Sequence, residues 1–285
     1  MSLKITTGLT ALCFSLIHSV YATEGGASRY LPAFYGDFGM GLTSPEGYYL
    51  DNYLGYKNIT SNGTNYNLVF ELPGLVGIID TKIAGTKYTY AFYPTVLYHD
   101  LNGTAHGGAG DMYAVPVKLS WNWDNVGFGI FTGIVTPTGA YHKGASLNTG
   151  RNYWTFDNNA VFTWYPKGGY QISFDFGYAI NLENPATHYR TGDEIHLNYL
   201  VGYALTDSIN IGVFGSYYRQ LLQDSGSNPD AATALRGEAS SIGPVVSYTT
   251  KIGERSVYFS AKWVHEYNTN LLSSDFFMLR TAFKF

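Results

Sequence analysis

Asp275-Phe276-Phe277-Met278-Leu279-Arg280-Thr281-Ala282-Phe283-Lys284-Phe285 closes the chain with a two-residue period. One set, Phe277, Leu279, Thr281, Phe283 and Phe285, is apolar and aromatic. The interleaved set, Phe276, Met278, Arg280, Ala282 and Lys284, carries the charge. A strand sends successive side chains to opposite faces, so this stretch predicts a strand with one apolar and one charged face. An ordinary half-buried terminal strand fits that much, and the choice depends on what lies upstream.

Upstream the same period recurs. In 170–181 one face is Tyr170, Ile172, Phe174, Phe176, Tyr178 and Ile180, and the other is Gln171, Ser173, Asp175, Gly177, Ala179 and Asn181. In 194–205, Ile195, Leu197, Tyr199, Val201, Tyr203 and Leu205 oppose Glu194, His196, Asn198, Leu200, Gly202 and Ala204. A water-soluble sandwich puts the apolar face inside; a membrane barrel inverts the assignment. Turn signals divide the chain into about twelve such segments, at 48–57, 66–78, 86–98, 112–122, 126–137, 153–165, 170–181, 193–205, 209–220, 237–250, 255–266 and 275–285. Short connections (123–125, 166–169, 206–208, 251–254) alternate with longer ones (99–111, 138–152, 182–192, 221–236). An even strand count with short turns at one end and long loops at the other is the pattern of a transmembrane, antiparallel, up-and-down β-barrel. A last strand running toward the periplasm places every long loop outside the cell. The segment 66–78 is interrupted by Pro73 and Gly74, which predicts a bulge or bend.

Both ends agree with that fold. Phe277, Leu279, Phe283 and Phe285, ending on an aromatic residue, resemble the sorting signal read by the barrel-assembly machinery of bacterial outer membranes. At the other end, Lys4 precedes an apolar run from Ile5 to Val20, and small residues precede a predicted cut after Ala22. This is the layout of a secretory signal peptide over 1–22, and the run is short for a membrane helix. The one cysteine, Cys13, lies inside it, so the mature chain has no disulfide or thiol chemistry. Residues 23–47, rich in Gly, Pro and aromatics, either stay in the periplasm or fold into the lumen as a plug; the barrel proper is 48–285.

Composition points the same way. Only 13% of the 285 residues are charged and 17% are aromatic, with 26 tyrosines and 33 glycines. Mean hydropathy is −0.08, which excludes a helical membrane protein, and abundant tyrosine suits the aromatic girdles of a barrel. A net charge of −4 offers nothing to nucleic acid.

Several phrases then stand together: Tyr30-Leu31-Pro32-Ala33-Phe34-Tyr35-Gly36-Asp37-Phe38-Gly39, Gly110-Asp111-Met112-Tyr113, Pro137-Thr138-Gly139-Ala140-Tyr141, Gly150-Arg151-Asn152-Tyr153-Trp154-Thr155-Phe156-Asp157, Glu183-Asn184-Pro185-Ala186-Thr187-His188-Tyr189-Arg190-Thr191-Gly192-Asp193-Glu194 and Tyr217-Tyr218-Arg219-Gln220. In this order they resemble the outer-membrane family linked to the meta-pathway of phenol and aromatic-hydrocarbon degradation. The resemblance implies a barrel that transports or conducts hydrophobic aromatic compounds. Ala33 departs from the glycine expected at that place in the early phrase.

With the aromatic positions facing lipid, the lumen receives Asp51, Glu71, Lys87, Lys118, Asp157, Asp175, His196, Lys262, Glu266, Arg280 and Lys284. The ordinary role of such charges is to stitch the wall by salt bridges. A functional role is a constriction lined by Asp157, Asp175, His196, Lys262 and Arg280, whose mixed signs disfavour strong ion selectivity. Arg151, Tyr153, Trp154, Tyr189, Arg190, Tyr217, Tyr218 and Arg219 fall near the extracellular strand ends. They suit an entrance that stacks a flat apolar solute, or an aromatic girdle with arginines on lipopolysaccharide phosphates. The expected partners are thus outer-membrane lipid, lipopolysaccharide, the assembly machinery and a small solute.

Two other classes remain as alternatives. A lipid-hydrolysing barrel needs a serine–histidine pair on its outer wall; His265 is the one histidine on a lipid-facing strand position, and no hydrolase motif accompanies it. His99, His106, His142 and His188 fall in loops. A surface-binding barrel would act through loops alone. No cofactor or metal is expected: 224–235 resembles a calcium loop only faintly, with Leu235 where the bidentate glutamate belongs and Pro229 at the glycine position.

Overall fold

The computed structural model describes residues 30–31, 34, 36–61, 64–81, 83–145, 147–227, 236–269 and 273–285. The expected signal peptide over 1–22, its expected cut site and Ala33 lie outside them. Twelve antiparallel strands form the barrel: β1 (Gly47–Ser61), β2 (Thr64–Asp80), β3 (Thr86–Tyr93 continuing as Val96–Leu101), β4 (Thr104–Ala109 continuing as Tyr113–Asn122), β5 (Val126–Val135), β6 (Thr155–Trp164), β7 (Tyr170–Asn181), β8 (Glu194–Ala204), β9 (Ile209–Gln220), β10 (Glu238–Ile252), β11 (Arg255–Tyr267) and β12 (Ser274–Lys284). Each strand pairs with the next, and β1 also pairs with β12, from Tyr49↔Lys284 to Ile59↔Ser274, which closes the sheet. Closure leaves no open seam in the barrel wall, the condition for a sheet to cross a bilayer; the Thr104–Ala109 end of β4 pairs only with β3.

The faces follow the two-residue period with the sign inverted relative to a soluble protein. Phe174, Phe176, Val201, Tyr203, Trp263, Phe277 and Leu279 are exposed on the outside, while Ser173, Asn198, Thr163 and Ser241 are fully buried inside. Aromatic contacts mark both rims. Tyr48 lies against Phe285 (6.3 Å between centroids) and Tyr170 against Tyr203 (5.1 Å), both tilted, at the short-turn end. Trp263, Phe277 and Tyr56 follow one another at 6.3 Å toward the long-loop end. An apolar belt between aromatic rims is stable only with hydrocarbon around it, and it places the protein in the bacterial outer membrane. Among the described residues no helix is long and apolar enough to cross a membrane.

Three expectations need correction. Residues 99–111 are not a long loop: β3 and β4 extend into a hairpin whose tip is Asn102-Gly103, both with positive φ (52° and 87°). An Asn-Gly pair is the turn that matches strand twist, and it was the signal missed. His99 and His106 therefore face each other across two strands. Secondly, β2 runs through Pro73 without a break. The interruption lies in β3, at Pro94 and Thr95, opposite Leu72–Gly74; the register is the same on both sides, Leu75↔Phe92 and Glu71↔Val96. Neither proline has an amide hydrogen, so the ladder loses its bonds there. Thirdly, Glu71 does not enter the lumen. Phe70 and Leu72 take the inward positions (2% and 5% exposed), and Glu71 lies outside, accepting from Asn52 Nδ2 at 3.1 Å.

Candidate functional site in the barrel lumen

The inner wall has two halves. From β6 to β10 it is a net of short polar side chains: Thr155–Asn181 (2.7 Å), Thr163–Ser173 (2.8 Å) and Ser216–Ser241 (2.6 Å) each span neighbouring strands. Within this net His196 Nε2 lies 3.0 Å from Asp157, Asn198 Nδ2 donates to Asp175 at 3.1 Å, and Asn198 also meets His196 at 3.2 Å. Buried polar groups of this kind hold by satisfying one another, and in this net Asp175 Oδ1 is left over. From β1 to β4 the wall is aromatic and apolar instead, with Tyr53, Phe70, Leu72, Ala91, Tyr93, Tyr113 and Val115 all buried.

The segment ahead of β1 lies between these halves. Tyr30 is sandwiched between His196 (4.8 Å) and Tyr218 (5.7 Å), and its hydroxyl donates to Asn198. Phe34 sits on the other half, 5.1 Å from Tyr53 and edge-on to Tyr113 at 5.5 Å. Asp37 is the electrostatic anchor. It accepts from Tyr258 (2.7 Å), Ser260 (2.6 Å) and Arg280 (3.4 Å). Burial alone would raise its carboxyl; the Lys262 ammonium, the Arg280 guanidinium and the two hydroxyls outweigh burial and hold it below the usual value of 3.8. Lys262 also donates to the Gly36 carbonyl. Further along, Gly41 N donates to Thr163 Oγ1 at 2.8 Å. A Cβ on Gly41 would lie 2.4 Å from the Gly127 carbonyl oxygen and 2.5 Å from Thr163 N, so only glycine permits this approach.

Of the five proposed lumen residues, all line the interior, but they do not form one ring. Asp157, Asp175 and His196 belong to the polar net. Arg280 makes a two-point contact with Asp51 (2.7 and 3.1 Å) and reaches Asp37, with its guanidinium 5.1 Å from the Tyr53 ring. Lys262 and Arg280 therefore serve the amino-terminal segment. Sequence reasoning missed Asp37 and Tyr30 as partners, although both stand in the early phrase already singled out.

The eight entrance candidates divide. Tyr153 and Tyr218 are buried (2% each), and Tyr218 donates to Glu194 at 2.6 Å. Arg151 N donates to Asp111 at 2.9 Å and Arg151 O accepts from Asn184. Tyr189, also buried, donates to Asp224 and so ties the loop after β7 to the loop after β9, while Arg190 bonds Asn181 O (2.9 Å) and Asp193 (3.0 Å) and braces the loop after β7 on itself. Trp154 is exposed, and Tyr217 and Arg219 share Glu238 at the surface (3.0 and 3.9 Å). Phe277, Leu279 and Phe285 are exposed on the outer face, with Phe283 partly so.

Between the segment and the aromatic half lies a cavity of about 270 Å³, lined by Phe34, Phe38, Met40, Tyr53, Val76, Ile78, Tyr93, Tyr113 and Phe131, with Asp37, Asp51, Lys118, Asp175 and Arg280 as its charged members. On the outer wall His265 Nδ1 is 3.0 Å from Asp275, which also accepts from Trp263; no hydroxyl is hydrogen-bonded to that histidine among the described residues. Nor do three His, Cys, Asp or Glu side chains converge as metal ligands there or elsewhere among the described residues.

Residues 47–281 match the family model described as "Putative MetA-pathway of phenol degradation". Among solved structures the chain is similar to an outer membrane channel from Pseudomonas putida F1, with a TM-score of 0.76 at 13% identity over 88% of this chain and 100% of that one. Looser similarity extends to the translocator domain of the autotransporter NalP from Neisseria meningitidis (TM-score 0.46, 8% identity, 84% and 88% covered). The beta domain of the Bordetella autotransporter BrkA is comparable (0.47, 10%, 85% and 100%). At such identities the likeness is one of fold. No curated protein matches the chain by sequence.

Proposed function

From its membership of the MetA-pathway phenol-degradation family, to which the chain belongs, and from the lumen cavity, we propose that this barrel is a channel for passive uptake of small apolar or aromatic compounds. The cavity carries the proposal. Its volume of about 270 Å³ lies just below the roughly 300–1,000 Å³ of sites for drug-sized ligands, which suits a smaller solute. Its wall of Phe34, Tyr53, Tyr93, Tyr113 and Phe131 offers ring faces and edges to a single-ring solute.

Tyr153 and Tyr218, buried at the extracellular end, brace the wall of the entrance. The amino-terminal segment narrows the lumen and gates it by withdrawing Asp37 from Arg280 and Tyr30 from Asn198. Asp157, Asp175, His196, Lys262 and Arg280 hold the wall and the seat. Flow runs down the solute gradient. The outward Trp154, Tyr217 and Arg219 meet lipid and lipopolysaccharide at the rim.

The test is single-channel conductance of the refolded full chain in planar bilayers, with and without toluene. A steady current partly blocked by toluene supports an internal site. A folded barrel whose current ignores every aromatic solute would refute the proposal.

A further inference from the structure

Among the charged groups that line the cavity, three satisfy one another: Arg280 binds Asp51 and Asp37. Two do not. Lys118 enters from β4, opposite Thr89 on one side and Phe131 on the other. It has no hydrogen-bond or ion-pair partner among the described residues. Asp175 enters from β7 and is 2% exposed; its Oδ2 accepts from Asn198, and its Oδ1 has no partner. The two charges are brought toward each other. Gly129, Val161 and Asp175 follow in register across β5, β6 and β7, and Lys118 lies over the glycine: a Cβ on Gly129 would be 3.2 Å from Lys118 Cε. Yet they do not join in a salt bridge.

An ammonium only donates and an ionised carboxylate only accepts, so a group set between them must do both. We propose that Lys118 and Asp175 form a hydroxyl-recognition site in the cavity, where a neutral aryl alcohol accepts from Lys118 Nζ and donates to Asp175 Oδ1 while its ring lies against the aromatic wall. This rests on the channel function proposed above and names its preferred substrate class. A hydrocarbon offers nothing to either charge. An ether accepts but cannot donate. A carboxylate is drawn by Lys118 and repelled by Asp175.

The experiment is block of the ionic current of the refolded chain at pH 7 by four single-ring probes: phenol, anisole, toluene and benzoate. A hydrogen bond to a buried charge predicts that phenol blocks at about tenfold lower concentration than anisole or toluene, with benzoate weakest. In the K118M variant phenol is expected to fall to the level of toluene; K118Q, which keeps a donor, should recover part of the difference. Heat-modified mobility on gels confirms that each variant is folded, and the four-probe ranking on the unmodified chain needs no variant. Equal block by phenol and toluene would overturn the hydroxyl site and leave the channel standing. No block by any probe would overturn both. Strongest block by benzoate would make Lys118 an anion site and overturn the pairing with Asp175.

Discussion

Arg280 shows how one residue serves both the wall and the amino-terminal segment. It clamps Asp51 on the neighbouring strand, and its remaining nitrogen holds Asp37 of the amino-terminal segment. Hydrogen bonds to charged groups contribute about 1.5–3 kcal/mol each. D37N is therefore expected to shift the seated fraction of the segment by roughly 10- to 150-fold, read as longer open times in single-channel records at pH 7, with barrel folding retained. The pH dependence has a definite sign. The folded Asp37 carboxyl lies below its ordinary 3.8, so the ionised form stabilises the seat above that value. This stabilisation is lost as pH falls from 3.8 through the lower folded value. Conductance should stay level through neutral pH and rise only in the acid range below 3.8; D37N should remove that rise. A rise already near neutral pH would overturn the assignment to Asp37.

In the proposed mechanism the amino-terminal segment is the element on which gating depends, and its contact at Gly41 tests this without touching a charge. G41V puts a branched side chain where a Cβ is already 2.4 Å from the Gly127 carbonyl. Overpacking of this kind costs about 1–3 kcal/mol. The variant should open the channel as D37N does, while β-content by circular dichroism is unchanged; loss of β-content would mean that the contact supports the wall instead. Strands themselves were largely legible from alternation, because lipid outside and packed polar groups inside impose the period along their length. Legibility failed where turn chemistry outweighed composition. Residues 99–111 read as a polar loop, yet Asn102-Gly103 and the pairing of Leu97 with Gly108 make them a hairpin. At Pro73 the expected bend is absent, since the break opposite it in β3 relieves the strand.

At the scale of the whole molecule, closure and occupancy separate cleanly. Removing residues 23–46 leaves β1 pairing with β2 and β12 intact, so the barrel should fold and conduct several-fold more than the full chain; equal conductance would show that the segment does not limit flow. Replacing Phe285, an exposed aromatic lying against Tyr48, with serine should lower outer-membrane assembly yield without altering the conductance of refolded protein. Fold, strand count and membrane location were determined by the sequence itself. Each depends on a local period, a terminal pattern or a turn residue, and lipid outside forces these to recur in every strand. Glu71 marks the limit of that rule, since an average face assignment cannot see a single strand whose inward positions are taken by Phe70 and Leu72. The site was decided only by tertiary structure. Tyr30 meets Asn198 across 168 positions and Asp37 meets Arg280 across 243, and Lys118 approaches Asp175 only because three strands lie in register. Contacts of that span leave no periodic trace in the chain; they exist only once the barrel has closed around its own amino-terminal segment.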